Sequence, residues 1–390
     1  MRKADMSHTP DIARMKRELA ELIAIRTENP PGREADAAVY VRDMLLSAGF
    51  AVDITEYKPG RFNVEARLDN GPGPVFAFNT HMDTVPAGDG WSSDPFTLRE
   101  ADGKLYGRGA CDCKGPLIAM VEAMRMLASD RSTWSGTLLG VFVGDEEIAS
   151  EGAKFYAAGK PKIDFAVVGE PTSNTTFAAH KGSLRPVVRV HGQAAHSGTP
   201  HLGENAIYRA GQLLSLIEAH HNEVVRGRTH PLVGEASLTV TRISGGHADN
   251  VVPYACDLLL DRRMVPGENE EVVKQEFADL LALAQARFGV RAEIIDYKAT
   301  TGGATETAID SAIVQASMAA CRSHGIANPG PFGFQGGCDL VHFRQIGAQG
   351  TVIGPGDLSV AHKPDEFVPV DEFVTASLIY RDVAQSMLRA

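Results

Sequence analysis

The sequence predicts an α/β catalytic domain, with a mainly parallel central sheet flanked by helices, interrupted by a smaller inserted α+β domain. Apolar strand-like runs alternate with helical spacing in the first part of the chain, the middle loses that alternation, and it returns before the C-terminus. Strands alternating with helices imply parallel pairing, whereas a cluster of strands around two helices implies a sheet open on one face. A length of 390 residues and a hydrophobic fraction of 44% permit cores for both units. The expected boundaries are 1–182 and 298–390 for the catalytic domain and 183–297 for the inserted lid and dimerisation domain.

Residues 11–25 and 35–48 carry helical apolar spacing, and Val75-Phe76-Ala77-Phe78 reads as a buried strand. A helix follows over 115–128, with Leu117, Met120, Val121, Met124 and Leu127 on one face. Residues 137–143 and Phe165-Ala166-Val167-Val168 are further apolar strands. In the middle, 184–190, 236–243, 255–261 and 291–297 are strand-like and surround helical stretches at 205–220 and 269–288. A helix over 311–324, a glycine-rich loop over 330–337, a strand over 350–353 and a last helix from about Val370 complete the pattern.

Bulk properties exclude several classes of function. The formal net charge of -11 leaves no basic surface for nucleic acid or anionic membrane. Residues 1–17 are polar, without the apolar core of a signal peptide. No apolar run reaches the ~20 residues needed to span a bilayer. Five cysteines without framework spacing read as reduced thiols, and with them a cytoplasmic location.

Most of the candidate acids and histidines stand at or just beyond the ends of the apolar runs. In Asn79-Thr80-His81-Met82-Asp83-Thr84-Val85-Pro86, His81 and Asp83 lie two residues apart, on one side of an extended strand end. Asp83 could orient the imidazole from behind a metal; a solvent-facing His beside a turn-capping Asp is the ordinary alternative. Asp112 lies in a glycine-rich turn before a helix, where it could bridge two cations or cap the helix. Gly107-x-Gly109 lacks the third glycine of a dinucleotide fingerprint. Glu146 and Glu147 follow an apolar strand, where uncompensated negative charge is costly and a metal would offset it; a solvated surface pair is the alternative. One carboxylate could then bind an ion while its neighbour acts as general base on water.

The succession His81-x-Asp83, Asp112, Glu146-Glu147, Glu170 in Gly169-Glu170-Pro171 and His362 in Ala361-His362-Lys363-Pro364-Asp365-Glu366-Phe367 resembles the M20 family of metallopeptidases and deacylases. Its members include acetylornithine deacetylase, succinyl-diaminopimelate desuccinylase, aminoacylases and glutamate carboxypeptidases. The likeness runs from His81 to Phe367 and includes Gly354-Pro355-Gly356. It implies that His81 and Glu170 hold one metal, Glu147 and His362 the other, and that Asp112 bridges them. Glu146 is then the general base and proton shuttle, Asp83 tunes His81, and the Asp112-Cys113 peptide is expected to be cis.

The same resemblance extends to the inserted domain. Ala194-Ala195-His196-Ser197-Gly198 is similar to the segment whose histidine reaches a neighbouring subunit's active site and stabilises the developing oxyanion. His191, His201 and His247 are nearby competitors with unmatched flanks. Asn250 corresponds to a substrate-contacting Asn, although Asp249-Asn250 also suits a turn. Arg263 falls where a carboxylate-binding Arg is expected, with Arg262 on the opposite strand face unless a bulge exchanges them. Gly336 and Gly337 resemble a substrate-facing loop.

Two residues depart from the family pattern. Cys113 stands where many relatives carry Met or another non-thiol residue, and Cys338 where Ser or Thr is usual; each could be a soft extra ligand, a redox liability or a tolerated small residue, and tolerance is the default reading. The expected activity is cleavage of the amide bond of an N-acyl amino acid, as in acetylornithine deacetylase, by water activated between two divalent ions. Zinc is the first choice, with cobalt or manganese as alternatives. The expected substrate is a small N-acyl amino acid or short peptide with a free carboxylate, and the expected assembly is a homodimer. A dipeptidase or glutamate-type carboxypeptidase, deamination on the same scaffold, and an inactive metal-binding scaffold are the alternatives.

Overall fold

A computed structural model of the chain describes residues 9–389; the first eight residues of the polar N-terminal stretch lie outside it. The chain divides into two units, one running up to Ala179 and including Glu306–Gly333 and the chain from Cys338, the other formed by His180–Thr305 and Phe334–Gly337.

In the first unit, the strands Gly136–Val143, Val75–His81, Phe165–Val168 and Gln349–Val352 lie side by side in that order, each pair parallel. They are buried along nearly their whole length because helices cover both faces of such a sheet. Gly136–Val143 is buried along its whole length. The helix Lys114–Ser129, whose first fourteen residues are almost all buried, packs against the sheet and against the last helix, Val370–Met387. Parallel strands that all end on one side carry their following loops to that side. Residues 81–85, 144–150, 169–172 and 353–357 are the loops so placed.

The margins of the sheet are antiparallel. Ala51–Lys58 pairs with Arg61–Asn70, which pairs with Gly136–Val143. This hairpin has no counterpart in the sequence reading, because Ala51–Lys58 is a half-exposed outer strand rich in charged and polar residues. A three-stranded sheet of Phe367–Pro369, Lys104–Tyr106 and Arg99–Ala101 is likewise too short to leave a periodic signal.

The second unit contains a four-stranded antiparallel sheet in the order Ser237–Gly245, Ala255–Met264, Gly182–His191, Arg291–Lys298. Ala255–Met264 alternates strictly between buried and partly buried residues, as expected when one face meets helices. Those helices are Ala206–Glu223, capped by Asn205, and Glu270–Phe288, capped by Asn269 and ended by Gly289 at φ 68°. Phe332–Phe334 is a short strand inside the stretch expected to be a glycine-rich loop, and Phe334 O accepts from Lys181 N at 3.1 Å, within the second unit. No helix among the described residues is long and apolar enough to cross a membrane.

Candidate dinuclear metal centre

Val75–His81 ends on His81, whose side chain is buried. Its Nδ1 lies 2.9 Å from the Asp83 carbonyl, which fixes the ring and leaves Nε2 turned to Asp112 Oδ1 at 3.2 Å. Asp112 does not cap the following helix: the N-cap is Cys113, without a side-chain cap bond. Its other oxygen, Oδ2, lies 3.2 Å from His362 Nε2, and His362 Nε2 lies 2.9 Å from Glu147 Oε2. One carboxylate therefore faces two imidazoles, with one oxygen to each.

Two groups of donor atoms result. His81, Asp112, Cys113 and Glu170 each bring one donor within 4.8 Å of the others, and so do Asp112, Glu147 and His362. The groups share Asp112. The peptide between Asp112 and Cys113 is cis, as the resemblance implied. His362 adopts φ 63°, a left-handed conformation unusual outside glycine, and its ring is about half exposed while the acids it meets are buried.

The charges explain why such a cluster needs cations. Burial pushes the Glu146, Glu147 and Glu170 carboxyls up, and neighbouring carboxylates add to it: Glu170 acts on Glu146, and Asp112 acts on Glu147 and Glu170. Burial also opposes ionisation of Asp112, but hydrogen bonds from His362 and His81 outweigh it and hold that carboxyl low. Burial works against protonating His81, yet Cys113, Asp112 and Asp83 outweigh it and raise its pKa. Hydrogen bonds to Asp112 and Glu147 push His362 up to about 10. Histidines drawn towards protonation by buried acids occupy the place where metal charge would serve both. The donor set, imidazole nitrogen, carboxylate oxygen and one sulfur, suits zinc-type divalent ions.

The profile of peptidase family M20/M25/M40 matches residues 77–386. The chain belongs to this family. It is similar to an acetylornithine deacetylase of Vibrio vulnificus, at 30% identity over 93% of this chain and 94% of the relative. It is also similar to a protein of Staphylococcus epidermidis named as a probable succinyl-diaminopimelate desuccinylase, at 29% identity over 95% of this chain and 96% of the other. Among solved structures, a dinuclear metal binding peptidase of the M20 family from Bacillus subtilis superposes with a TM-score of 0.72 at 18% identity, covering 97% of this chain and 98% of that one. At that identity the likeness shows the fold alone.

In this M20 chain, the groups that orient the donors were mostly not singled out by the sequence. Asp83 is fully buried and does more than hold His81: its Oδ1 accepts from Glu146 N at 3.2 Å and its Oδ2 from Glu147 N at 3.4 Å. It thereby ties the strand end to the turn bearing both glutamates. Asn29 donates to Asp83 Oδ2 at 2.8 Å and to Asp145 Oδ1 at 2.9 Å. Asp145 itself sits at φ 71° and starts that turn. Glu366, completely buried, accepts from Cys111 N at 2.9 Å and Asp112 N at 3.0 Å through Oε1, while Oε2 pairs with buried Arg108. Burial pushes Glu366 up to about 7, against the pull of Arg108. Glu366 was visible as part of the tail motif, but nothing in the sequence says that it cradles the Asp112 backbone.

Cys338 lies at 0% exposure in an apolar cluster with Val168, Leu340 and Val352, which fits the default reading of a tolerated small residue. The remaining candidates belong to the second unit. His196 is exposed, and its Nδ1 accepts from Gly198 N at 3.0 Å, so its ring proton sits on the outward Nε2. Ser197 N donates to Asn250 O at 2.9 Å, which brings the His196 and Asn250 loops together. His191 is engaged with Glu293 at 3.0 Å, and His247 stacks edge-on with Tyr254. The strand alternates without a bulge at the two arginines: Arg262 is buried and paired with Glu268, while Arg263 is partly exposed and bonded to Asp261. Gly336 and Gly337 belong to this unit.

Proposed function

We propose that this protein is a metal-dependent hydrolase that cleaves the amide bond of an N-acyl amino acid, in the manner of acetylornithine deacetylase. The observation that carries the reading is the pair of donor groups sharing Asp112. His81 and Glu170 would hold one divalent cation and Glu147 and His362 the other, with Asp112 shared between the two groups. Bound there, such cations would supply a water of lowered pKa, towards about 7, and polarisation of the scissile carbonyl. Zinc is the first choice of metal, with cobalt or manganese as alternatives.

Glu146 is the general base. Burial, with Glu170 beside it, pushes its carboxyl up, and a carboxylate so placed would take a proton from water and return it to the leaving amine. Asp83, through its grip on His81 and on the Glu146 and Glu147 backbone, sets the distance between base and ligands. His196 offers an Nε2–H to the developing oxyanion and acts from a partner subunit, so the working form is a homodimer joined through the second unit. Arg263 fixes the substrate's carboxylate by its planar guanidinium, and Asn250, Gly336 and Gly337 line the substrate. Five buried free cysteines support a reducing, cytoplasmic setting.

The test is a hydrolysis screen of the metal-reconstituted protein on N-acetyl, N-succinyl and N-carbamoyl amino acids and dipeptides, read by product mass, with Glu146→Gln as an arm. The base role predicts a fall of about 10²–10⁴ in turnover for Glu146→Gln at unchanged metal content. Unchanged turnover refutes it. Cleavage of dipeptides alone would move the assignment to a dipeptidase.

A further inference from the structure

Cys113 is the one cysteine among the described residues whose sulfur joins a group of candidate metal donors. It follows the bridging acid directly, and its side chain is completely buried. Its Sγ lies 2.9 Å from Asp112 Oδ1 and 3.4 Å from Glu170 Oε2, and it shares the 4.8 Å cluster with His81. A single S–H can donate to one of these carboxylates at a time, and both are buried acids turned towards the sulfur. The other cysteines are placed differently: Cys111 Sγ meets the Asp357 carbonyl at 3.6 Å, Cys321 meets Thr176 Oγ1 at 3.5 Å, and Cys338 packs among apolar side chains.

We propose that Cys113 is a fourth protein ligand, through sulfur, of the cation held by His81, Asp112 and Glu170. The inference rests on the dinuclear centre proposed above and makes that centre unsymmetrical. One set has four candidate protein donors, N, O, O and S; the other, Asp112, Glu147 and His362, has three. On coordination the S–H bond breaks, the proton passes to bulk water and the sulfur's electron pair forms the bond to the metal. A thiolate in the set also favours zinc over harder ions such as manganese.

X-ray absorption at the zinc edge of the fully loaded wild-type protein tests this without any variant. The expected spectrum contains a sulfur shell at about 2.3 Å beside nitrogen and oxygen at about 2.0–2.2 Å. The cobalt-loaded protein should show a sulfur-to-cobalt charge-transfer band in the near ultraviolet. Cys113→Ser should lose both signals while still binding metal, and Cys338→Ala should keep them. A wild-type protein carrying two metals with only nitrogen and oxygen neighbours overturns the sulfur ligand and leaves the dinuclear centre standing. A band that persists in Cys113→Ser also overturns it. A protein that takes up no metal overturns both the centre and this inference.

Discussion

Breaking the Arg108–Glu366 pair should cost the first unit a large part of its stability although neither residue is a candidate ligand. The Arg108 and Glu366 side chains are at most 1% exposed, and Glu366 also receives the backbone N–H groups of Cys111 and Asp112. Arg108→Met leaves a buried carboxylate without its counter-charge, and such half-broken pairs cost about 3–5 kcal/mol. Glu366→Gln keeps an acceptor for both backbone groups but leaves Arg108 with only the carbonyls of Ala87 at 3.1 Å and Pro86 at 3.4 Å, so a loss of similar size is expected. The double variant buries no net charge and should be less destabilised than either single one. The coupling energy should then exceed about 2 kcal/mol, well beyond the roughly 0.3–0.5 kcal/mol within which independent sites add. Urea unfolding followed by tryptophan fluorescence suits the measurement, because Trp91 and Trp134 both belong to the first unit. Trp91 lies with its ring centroid 5.1 Å from the Arg108 guanidinium carbon. The titration should be run at pH 8, where Glu366 is mostly ionised, and in chelator, so that metal binding does not shift the equilibrium. Additive single effects would refute the idea that the two charges hold each other in place.

Asp83→Asn should weaken metal binding by about 10–100-fold while leaving every ligand in the chain, because it disturbs both the His81 ring and the Glu146-Glu147 turn; unchanged calorimetric affinity would count against that tie. Mixing His196→Ala with Glu146→Ala protein should partly restore activity once subunits exchange, and proven heterodimers without recovery would exclude action in trans. His180 predicts a pH effect on stability. Burial lowers its pKa to about 4, Nδ1 bonds the Lys181 carbonyl at 2.9 Å, and Nε2 has no hydrogen-bond partner among the described residues. Its folded pKa is below the usual value of about 6.5, so its contribution is complete above that pH and is lost as pH falls from about 6.5 to about 4. The loss is on the order of 3 kcal/mol over the whole window. Thermal melts of His180→Gln should therefore fall less steeply than wild type between pH 7 and pH 4.5, and parallel declines would refute the assignment.

The fold was legible where packing leaves a repeating trace. Phe165–Val168 and Gly136–Val143 are buried along nearly their whole length, so unbroken apolar runs marked them. Glu270–Phe288 has an Asn cap, acids in its first turn and a left-handed glycine at its end, all of which are chemical signals in the chain itself. The hairpin Ala51–Lys58 with Arg61–Asn70 was missed because its outer strand buries little, and charged residues in a solvent-facing strand look like any polar stretch. Phe332–Phe334 leaves no trace for a different reason: three residues with a glycine in the middle carry no period, and only the pairing with Phe177–His180 makes them a strand.

The candidate site divides along the same line. The candidate donors came from two sources: His81, Glu146-Glu147 and Glu170 stand at or just beyond the ends of apolar strands, where a buried charge needs a partner, whereas the full set with Asp112 and His362 came from the resemblance to the M20 family. The groups that hold those donors carry no such signal. Glu366 reaches the Asp112 backbone across a separation of 254 residues, and Asn29 reaches Asp145 across 116. A carboxylate is suitable for receiving two N–H groups and an amide for bridging two acids, but many side chains in the chain meet that description. Folding selects among them by position. Cys113 falls between the two kinds: beside Asp112 in the sequence it reads as a tolerated replacement, whereas in the fold Glu170, 57 residues away, lies 3.4 Å from its sulfur. A local departure from a motif therefore gains chemical content when a distant residue turns out to face it, as Glu170 and His81 face this thiol.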